Sequence, residues 1–241
     1  MTSARLKTVM SEFIFGDRSV EITGLSVSAG GGQLNVHVCV TDGEREKKSV
    51  YSMLCEFWDT FGICLRDLPR EIDDDTLSEI KKYSDITHAV QKAYGCISCS
   101  PCSEKMLVAK LCRKGIEREY AVTAADFVRD KGYIDEVRLA LRECERCLDK
   151  YWGYQRIIYK LKSCGYNSEA IGAADDFLST IDFEENCRQL LEKKYLKSTD
   201  VVPVREKEIE KIFRSLQNYG YSGREIKKAL NALKSKIVIE K

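Results

Sequence analysis

Three glycines, each set in the same frame of apolar residues, constrain the fold of this chain more than any other feature. Gly115, Gly165 and Gly220 recur at intervals of 50 and 55 residues. Apolar residues lie eight and four positions before each glycine and one position after it: Leu107, Leu111 and Ile116; Ile157, Leu161 and Tyr166; Ile212, Leu216 and Tyr221. Glycine readily adopts the left-handed conformation that closes a helix, and spacings of three and four residues place side chains on one helix face. The frame therefore predicts two helices joined at each glycine.

A further apolar stripe precedes each of these helix pairs. Its members are Ile86, Ala89, Val90 and Ala93 before the first pair; Val137, Leu139, Ala140, Leu141, Cys144 and Leu148 before the second; and Phe183, Cys187, Leu190 and Leu191 before the third. About 50 residues hold three helices of ordinary length with their loops. We therefore predict a mainly α fold of tandem three-helix repeats at residues 84–133, 134–182 and 183–241, which form an elongated, curved body. Pro203 and the longer last interval predict a loop around residues 198–204.

The sequence pattern of residues 1–83 predicts a small β-rich extension of α+β type ahead of the repeats. Alternating apolar residues mark two strands: Val20 and Ile22 in one, and Val36, Val38 and Val40 in the other. This period of two is typical of a half-buried strand. The phase shifts at Gly24, which predicts a bulge, and the three glycines at 30–32 predict the turn of a hairpin.

From Ser49 the apolar spacing becomes helical, and it predicts that helices follow the hairpin. The stripe consists of Val50, Met53, Leu54 and Phe57. Pro69 and the carboxylates Asp73–Asp75 then mark a break and the start of a new helix, because carboxylates favour helix N-termini. The same three carboxylates could hold a cation, but a helix start explains them more simply.

The composition is that of a globular chain, with 44% hydrophobic residues, 32% charged residues and a mean hydropathy of −0.33. A disordered chain would hold fewer apolar residues. No apolar run approaches the roughly 20 residues of a membrane helix, and the N-terminus lacks the pattern of a signal peptide. We therefore expect a cytoplasmic protein that makes no membrane contact and keeps its cysteines reduced.

The net charge of +1 hides an asymmetry along the chain. Residues 1–100 hold 11 Lys and Arg against 15 Asp and Glu, whereas residues 101–241 hold 28 against 23. A mildly basic second part could meet nucleic acid or an acidic protein surface. A solvated helical surface rich in Lys and Glu explains the same charge equally well.

Eleven cysteines raise the question of a metal site. Cys96, Cys99 and Cys102 have a suitable spacing, and so do Cys144 and Cys147, but neither group has a complete ligand set nearby. Small thiols that fill helix contacts explain them better. The sequence has only two histidines, and it shows no nucleophile motif, no phosphate-binding loop and no carboxylate pair in a recognisable motif. It therefore shows no recognisable set of catalytic residues. We therefore expect no enzyme, no catalytic residue, no metal and no cofactor.

Three short segments carry a more specific signal. They are Gly132-Tyr133-Ile134-Asp135-Glu136; Trp152-Gly153-Tyr154-Gln155-Arg156-Ile157 followed by Gly165-Tyr166; and the stretch from Ser103 through Leu111 to Gly115. In their order and spacing they resemble the RecX family of bacterial recombinase regulators, over residues 85–233. The sequence departs from that family's pattern at residues 99–102, Lys160 and Tyr154, where arginines, an acidic residue and proline, respectively, are common.

The resemblance implies a monomeric regulator without catalysis of its own. RecX proteins bind the RecA recombinase, lodge in the groove of its nucleoprotein filament and lower its ATPase and strand-exchange activities. The partner that we expect is therefore the RecA filament with bound DNA, in the context of the SOS response, DNA repair and recombination. Weak direct binding to DNA is compatible with this function. The alternative is a helical module that binds nucleic acid directly and does not depend on RecA.

The candidate contact residues are basic or aromatic and lie in the helical part: Arg113, Lys114, Trp152, Arg156, Lys160, Lys162, Lys227 and Lys228. Trp152 could be a binding hot spot or an anchor for a helix start. Arg156 could contact a partner or form an ion pair that fixes adjacent helices. Any of the basic residues could instead serve only to solvate a polar face.

Overall fold

The computed structural model describes residues 18–28, 32–195, 202–233 and 237–240. Ten α-helices and six strands lie within these ranges, and most of the described residues are helical. The predicted fold class, mainly α with a small β-rich N-terminal part, is confirmed. The chain divides into two compact units. The first comprises the described residues up to Tyr94 with Lys114–Ala124, and the second comprises Gly95–Arg113 with the described residues from Ala125 onward.

The first unit contains a four-stranded antiparallel sheet in the order β3-β2-β1-β4. Its strands are β1 (Arg18–Val27), β2 (Gln33–Asp42), β3 (Arg45–Leu54) and β4 (Arg70–Ile72). The register of β1 against β2 shifts between Ile22 and Gly24, which confirms the predicted bulge. Of the glycines predicted to turn the hairpin, 30 and 31 lie outside the described residues, whereas Gly32 has a φ of 76°.

The prediction of a helix from Ser49 is wrong, because this segment belongs to strand β3. It pairs with β2 along its whole length, with Met53 opposite Leu34 and Tyr51 opposite Val36. The side chains alternate as in a strand: Met53 is fully buried in the sheet's core, whereas Val50 is 56% exposed. The helix that follows, α1 (Cys55–Trp58), is a single turn. The apolar spacing of this segment is compatible with a helix or a strand, and its pairing with β2 decides for the strand.

The predicted helix start near the three carboxylates is confirmed, because α2 (Asp74–Cys99) begins there. The Asp73 carboxylate accepts a hydrogen bond from the backbone amide of Thr76 at 2.7 Å, and hydrogen bonding by the side chain and then the backbone of Thr76 lowers the pKa of Asp73. Helix α2 contributes Leu77 and Ile80 to the core of the first unit, where they meet the inward-facing residues of the sheet.

The remaining helices follow one another along the chain. They are α3 (Glu104–Arg113), α4 (Arg118–Asp130), α5 (Glu136–Leu148), α6 (Tyr154–Ser163), α7 (Ser168–Ser179), α8 (Phe183–Tyr195), α9 (Glu206–Asn218) and α10 (Gly223–Ala232). The three aligned glycines fall between α3 and α4, between α6 and α7, and between α9 and α10, with φ angles of 82°, 73° and 97°. The predicted left-handed helix closures are therefore confirmed. The residue limits proposed for the three repeats stay a prediction.

The core of the second unit is continuous from α5 to α10. Its fully buried members include Leu161 and Leu216, which lie four residues before a closing glycine. Glu136, at the start of α5, is also buried, and its carboxylate accepts two backbone hydrogen bonds. One comes from the amide of Glu104 at 2.7 Å and the other from the amide of Asn167 at 2.6 Å. One side chain thus fixes the starts of α3 and α7 to α5.

The loop predicted around residues 198–204 is wrong in its second half. Val202–Arg205 forms strand β5, which pairs in parallel with β6 (Ile237–Glu240). Residues 196–201 lie outside the described residues. The pairing joins two segments that are more than 30 residues apart, so no local sequence pattern could predict it. Among the described helices, none is long and apolar enough to cross a membrane.

Candidate interaction surface

The turn between α5 and α6 positions the first group of candidate side chains. It is tight, because Tyr151 has a φ of 56° and its amide donates to the carbonyl of Leu148 at 2.7 Å. A non-glycine residue in the left-handed region is strained unless its surroundings hold it there. The hydroxyl of Tyr221 supplies such a hold by donating to the Tyr151 carbonyl oxygen at 2.8 Å. Burial raises the pKa of Tyr221, so this donor keeps its proton.

Gly153 brings this turn against the turn between α9 and α10. Its amide donates to the carbonyl of Tyr219 at 2.7 Å, and the amide of Gln155 donates to the carbonyl of Gly220 at 3.3 Å. A β-carbon at position 153 would lie 2.4 Å from the backbone carbonyl carbon of Gly220. Only glycine permits this approach, and the two turns form one continuous surface.

Basic and aromatic side chains gather on this surface. We call them the cation–aromatic cluster, and they are Lys150, Tyr151, Trp152, Arg156, Lys193, Lys194, Tyr195 and Tyr219. They lie in the α5–α6 turn, in the first turn of α6, at the end of α8 and directly after the end of α9. Each of the four cations lies over at least one aromatic ring of the cluster.

Arg156 is the best-held cation of the cluster. Its guanidinium carbon lies 3.9 Å from the centre of the Trp152 ring and 5.6 Å from that of Tyr219. One terminal nitrogen, Nη1, donates to the backbone carbonyl of Asn218 at 3.1 Å. Arg156 thus fixes adjacent helices through rings and a carbonyl, whereas the sequence left open a partner contact or an ion pair. Its other N–H groups are left for an external acceptor.

The three lysines of the cluster contact rings in the same way. The Nζ atom of Lys150 lies 5.9 Å from the Trp152 ring centre, and that of Lys193 lies 4.9 Å from the Tyr151 ring centre. Lys194 lies 4.8 Å from the Tyr219 ring centre. Within the part of the chain that the structure describes, no carboxylate forms an ion pair with any cation of the cluster. A cation–ring contact does not cancel charge, so the cluster is a positively charged surface.

The structure brings together two of the residues predicted from the sequence, Trp152 and Arg156. Lys160 and Lys162 lie further along α6, and Lys162 is exposed. Lys227 is exposed on α10.

The other predicted residues have local partners or lie elsewhere. Lys228 forms an ion pair with Glu184 of α8. Arg113 donates from Nε to the carbonyl of Ala109 at 3.3 Å, and Lys114 belongs to the first unit. Their roles in binding stay predictions.

Sequence reasoning missed the other six members of the cluster. A local signal was present for some of them, because Lys150 and Tyr151 directly precede Trp152, and Tyr219 directly precedes a closing glycine. Lys193, Lys194 and Tyr195 carried no such signal, because they reach the cluster only through the packing of α8.

The cysteines do not form a reactive or metal-binding centre in the described part of the chain. No group of three or more His, Cys, Asp or Glu side chains there is arranged to hold a metal ion. Cys144 and Cys147 are buried, and burial raises the pKa of Cys144 to about 12. These thiols therefore stay protonated at neutral pH and pack as small apolar side chains.

The fold is that of a mainly helical protein with a small β-sheet, and the surface described above is of a kind that suits binding to another macromolecule. A solved structure described as a regulatory protein RecX has the same fold, with a TM-score of 0.66 and 16% identity over 88% of this chain and 99% of that chain. No family model matches the sequence.

Curated relatives are more specific. The regulatory protein RecX of Xanthomonas axonopodis pv. citri (strain 306) is 32% identical over 142 residues, which cover 58% of this chain and 84% of the relative. The regulatory protein RecX of Caldanaerobacter subterraneus subsp. tengcongensis is 26% identical over 197 residues, 78% of this chain and 95% of the relative. The chain belongs to the RecX family, a family of regulatory proteins and not of enzymes.

Proposed function

We propose that this protein binds the RecA nucleoprotein filament and modulates, mainly by inhibition, its recombinase and ATPase activities in the control of DNA repair and recombination. The supporting observation is its similarity to a curated regulatory protein RecX over 84% of that relative's length. The residues that carried the resemblance, among them Trp152, Gly153 and Arg156, are the ones that build the turn described above.

The cation–aromatic cluster supplies the chemistry for such a contact. A filament with bound DNA is a polyanion, and cations without carboxylate partners gain most from approaching one, with a strength that falls as salt rises. Trp, Tyr and Arg are also the residues that most often dominate binding energy at protein interfaces. The second unit therefore offers an electrostatic attraction and aromatic anchors on one surface.

The experiment measures ATP hydrolysis by RecA on single-stranded DNA, with and without the purified protein. We expect the rate to fall as the protein is added. An unchanged rate with this protein in excess over RecA would contradict the proposal.

A pair of matched variants tests the role of the cluster. The double variant Lys193→Gln with Lys194→Gln removes two exposed cations of the cluster. The control, Arg138→Gln with Arg224→Gln, removes two exposed cations of the same unit that lie on α5 and α10, outside the cluster. We expect the first variant to inhibit less, with the larger loss at low salt, and the control to inhibit as the parent does. Equal inhibition of RecA by both variants would exclude a role of the cluster in that inhibition.

Direct binding to nucleic acid is the second candidate, because the cluster's cations and rings also suit a single strand. Fluorescence anisotropy with a labelled oligonucleotide separates the two functions. Tight binding in the absence of RecA, lost in the Lys193→Gln and Lys194→Gln variant, would favour the second candidate. Weak binding together with inhibition of RecA would favour the first.

A further inference from the structure

A cleft of about 290 Å³ in the second unit shares no residue with the cation–aromatic cluster. We call it the α5 cleft, because one wall is the exposed face of α5 that carries Arg142, Glu143 and Arg146. Residues 99–101, at and just after the end of α2, also line the cleft, and so does Tyr166. Nothing in the proposed function uses this site.

The polar groups of the α5 cleft are mostly hydrogen-bond donors. Among the described residues, the Arg142 guanidinium has no ion pair or hydrogen bond, and the hydroxyls of Tyr166 and Ser100 also lack a hydrogen-bond partner. Burial raises the pKa of Tyr166 to about 12, so its hydroxyl keeps its proton at neutral pH and can donate.

The charges around the α5 cleft are predominantly positive. Its one carboxylate, that of Glu143, is already paired with Arg146 at 3.2 Å. At the rim, Nζ of Lys110 donates to the carbonyl of Ser100 at 3.0 Å and adds a further positive charge. Two cations, Arg142 and Arg146, therefore line the cleft with one anion, and Lys110 lies next to it. Of these cations, Arg142 alone has no partner among the described residues.

We propose that the α5 cleft binds a phosphate group. An arginine without a carboxylate partner can hold two phosphate oxygens at once, and hydroxyl donors complete the coordination of the remaining oxygens. A terminal phosphate carries a charge of roughly −1.5 to −2 at neutral pH, which matches the surplus of positive charge better than a single carboxylate does. The volume lies at the lower end of the ~300–1,000 Å³ that ligand pockets occupy, so a phosphate with a small attached group fits.

The phosphate could come from a free nucleotide or from a nucleic-acid backbone, and Cys99 provides a way to tell them apart. This thiol is exposed and lines the α5 cleft, whereas Cys64 is equally exposed but lies in the first unit. The rate of alkylation by iodoacetamide is measured at both cysteines by peptide mass spectrometry. The probes are inorganic phosphate, ADP, a dT oligomer that has backbone phosphates but no terminal phosphate, and a glutamate-rich peptide. Each is used at matched ionic strength.

We expect inorganic phosphate to slow alkylation of Cys99 several-fold and to leave Cys64 unchanged. Protection by ADP at a lower concentration than phosphate would support the site and identify a nucleotide. Protection by the dT oligomer at a lower concentration would support it and identify a backbone. Failure of all phosphate probes, equal slowing at Cys64, or stronger protection by the glutamate peptide would overturn the proposal.

Two variants complete the test. Arg142→Met keeps an unbranched apolar stem but removes the charge and the hydrogen-bond donors, and we expect it to abolish the protection of Cys99. Arg224→Gln removes an exposed charge from α10 of the same unit and should leave the protection intact. Protection that survives in Arg142→Met would also overturn the proposal. Because RecA is absent from this assay, its result is independent of the RecA experiment.

Discussion

Replacing Gly153 by alanine tests the contact between the two turns that build the cation–aromatic cluster. The added β-carbon would lie 2.4 Å from the carbonyl carbon of Gly220 and 2.6 Å from the amide nitrogen of Tyr221. Both atoms belong to the backbone, so the overlap cannot be relieved by a change of side-chain rotamer. The turns must move apart, and the hydrogen bond from the Gly153 amide to Tyr219 must lengthen or break.

The expected cost combines two effects. Overpacking of a buried position costs about 1–3 kcal/mol, and each lost backbone hydrogen bond costs about 1 kcal/mol. With two such bonds between the turns, Gly153→Ala should lower the free energy of unfolding by about 3–5 kcal/mol. This is a large share of the roughly 5–15 kcal/mol that stabilises a folded domain.

Urea unfolding followed by circular dichroism measures this change, with Gly172→Ala as the matched control. Gly172 lies in α7, and a β-carbon there would meet nothing within 4 Å. Alanine is favoured over glycine in a helix by about 0.5–1 kcal/mol, so this control should be slightly stabilised. If Gly153→Ala unfolded at the same urea concentration as the unchanged protein or as Gly172→Ala, the inferred contact between the turns would be wrong.

Two further substitutions test other contacts. Glu136→Ala leaves the amides of Glu104 and Asn167 without their acceptor, so we expect a loss of about 2–4 kcal/mol in urea unfolding, and a loss under 1 kcal/mol would contradict the bridging role. Hydrogen bonds from Arg188 and Gln189 lower the pKa of Glu185 to about 2 in the folded protein, so its stabilising contribution is present above the ordinary pKa of 4.5 and is lost as the pH falls through 2. The difference in melting temperature between the unchanged protein and Glu185→Gln should therefore shrink as the pH is lowered from 5 to 2, and a constant difference would refute this.

The glycine frame could be predicted from the sequence because its cause is local. A left-handed residue at a helix end needs glycine, and the amide of the next residue must reach back to the preceding turn, as that of Tyr166 does to Leu161 at 3.3 Å. The same requirement recurs at Gly220, where the Tyr221 amide reaches Leu216 at 3.3 Å. A short sequence window contains every atom of such a motif.

The errors arose where the deciding partner is distant in sequence. Val50 and Met53 fit a helical stripe as well as a strand, and only their pairing with β2 decides between the two. The ion pair between Lys228 and Glu184, which lies 44 residues earlier, could not be predicted from the sequence either, and the role of Lys228 in binding stays a prediction. Charge on a helix face can be counted from the sequence, but whether that charge is neutralised depends on which helices pack together.

The cation–aromatic cluster shows why only part of a binding surface can be predicted in this way. Trp152 directly precedes Gly153, the N-cap of α6, and Arg156 lies in the first turn of that helix, so their contact at 3.9 Å joins residues only four positions apart in the sequence. Lys194 joins them because α8 packs in the same core as α6 and brings its Nζ atom to 4.8 Å from the Tyr219 ring. Aromatic rings hold these cations in place without neutralising their charge, whereas carboxylates would hold them and also neutralise the charge. The stability of the cluster and its availability to an anionic partner therefore have the same cause, and replacing Tyr219 by leucine should weaken both together.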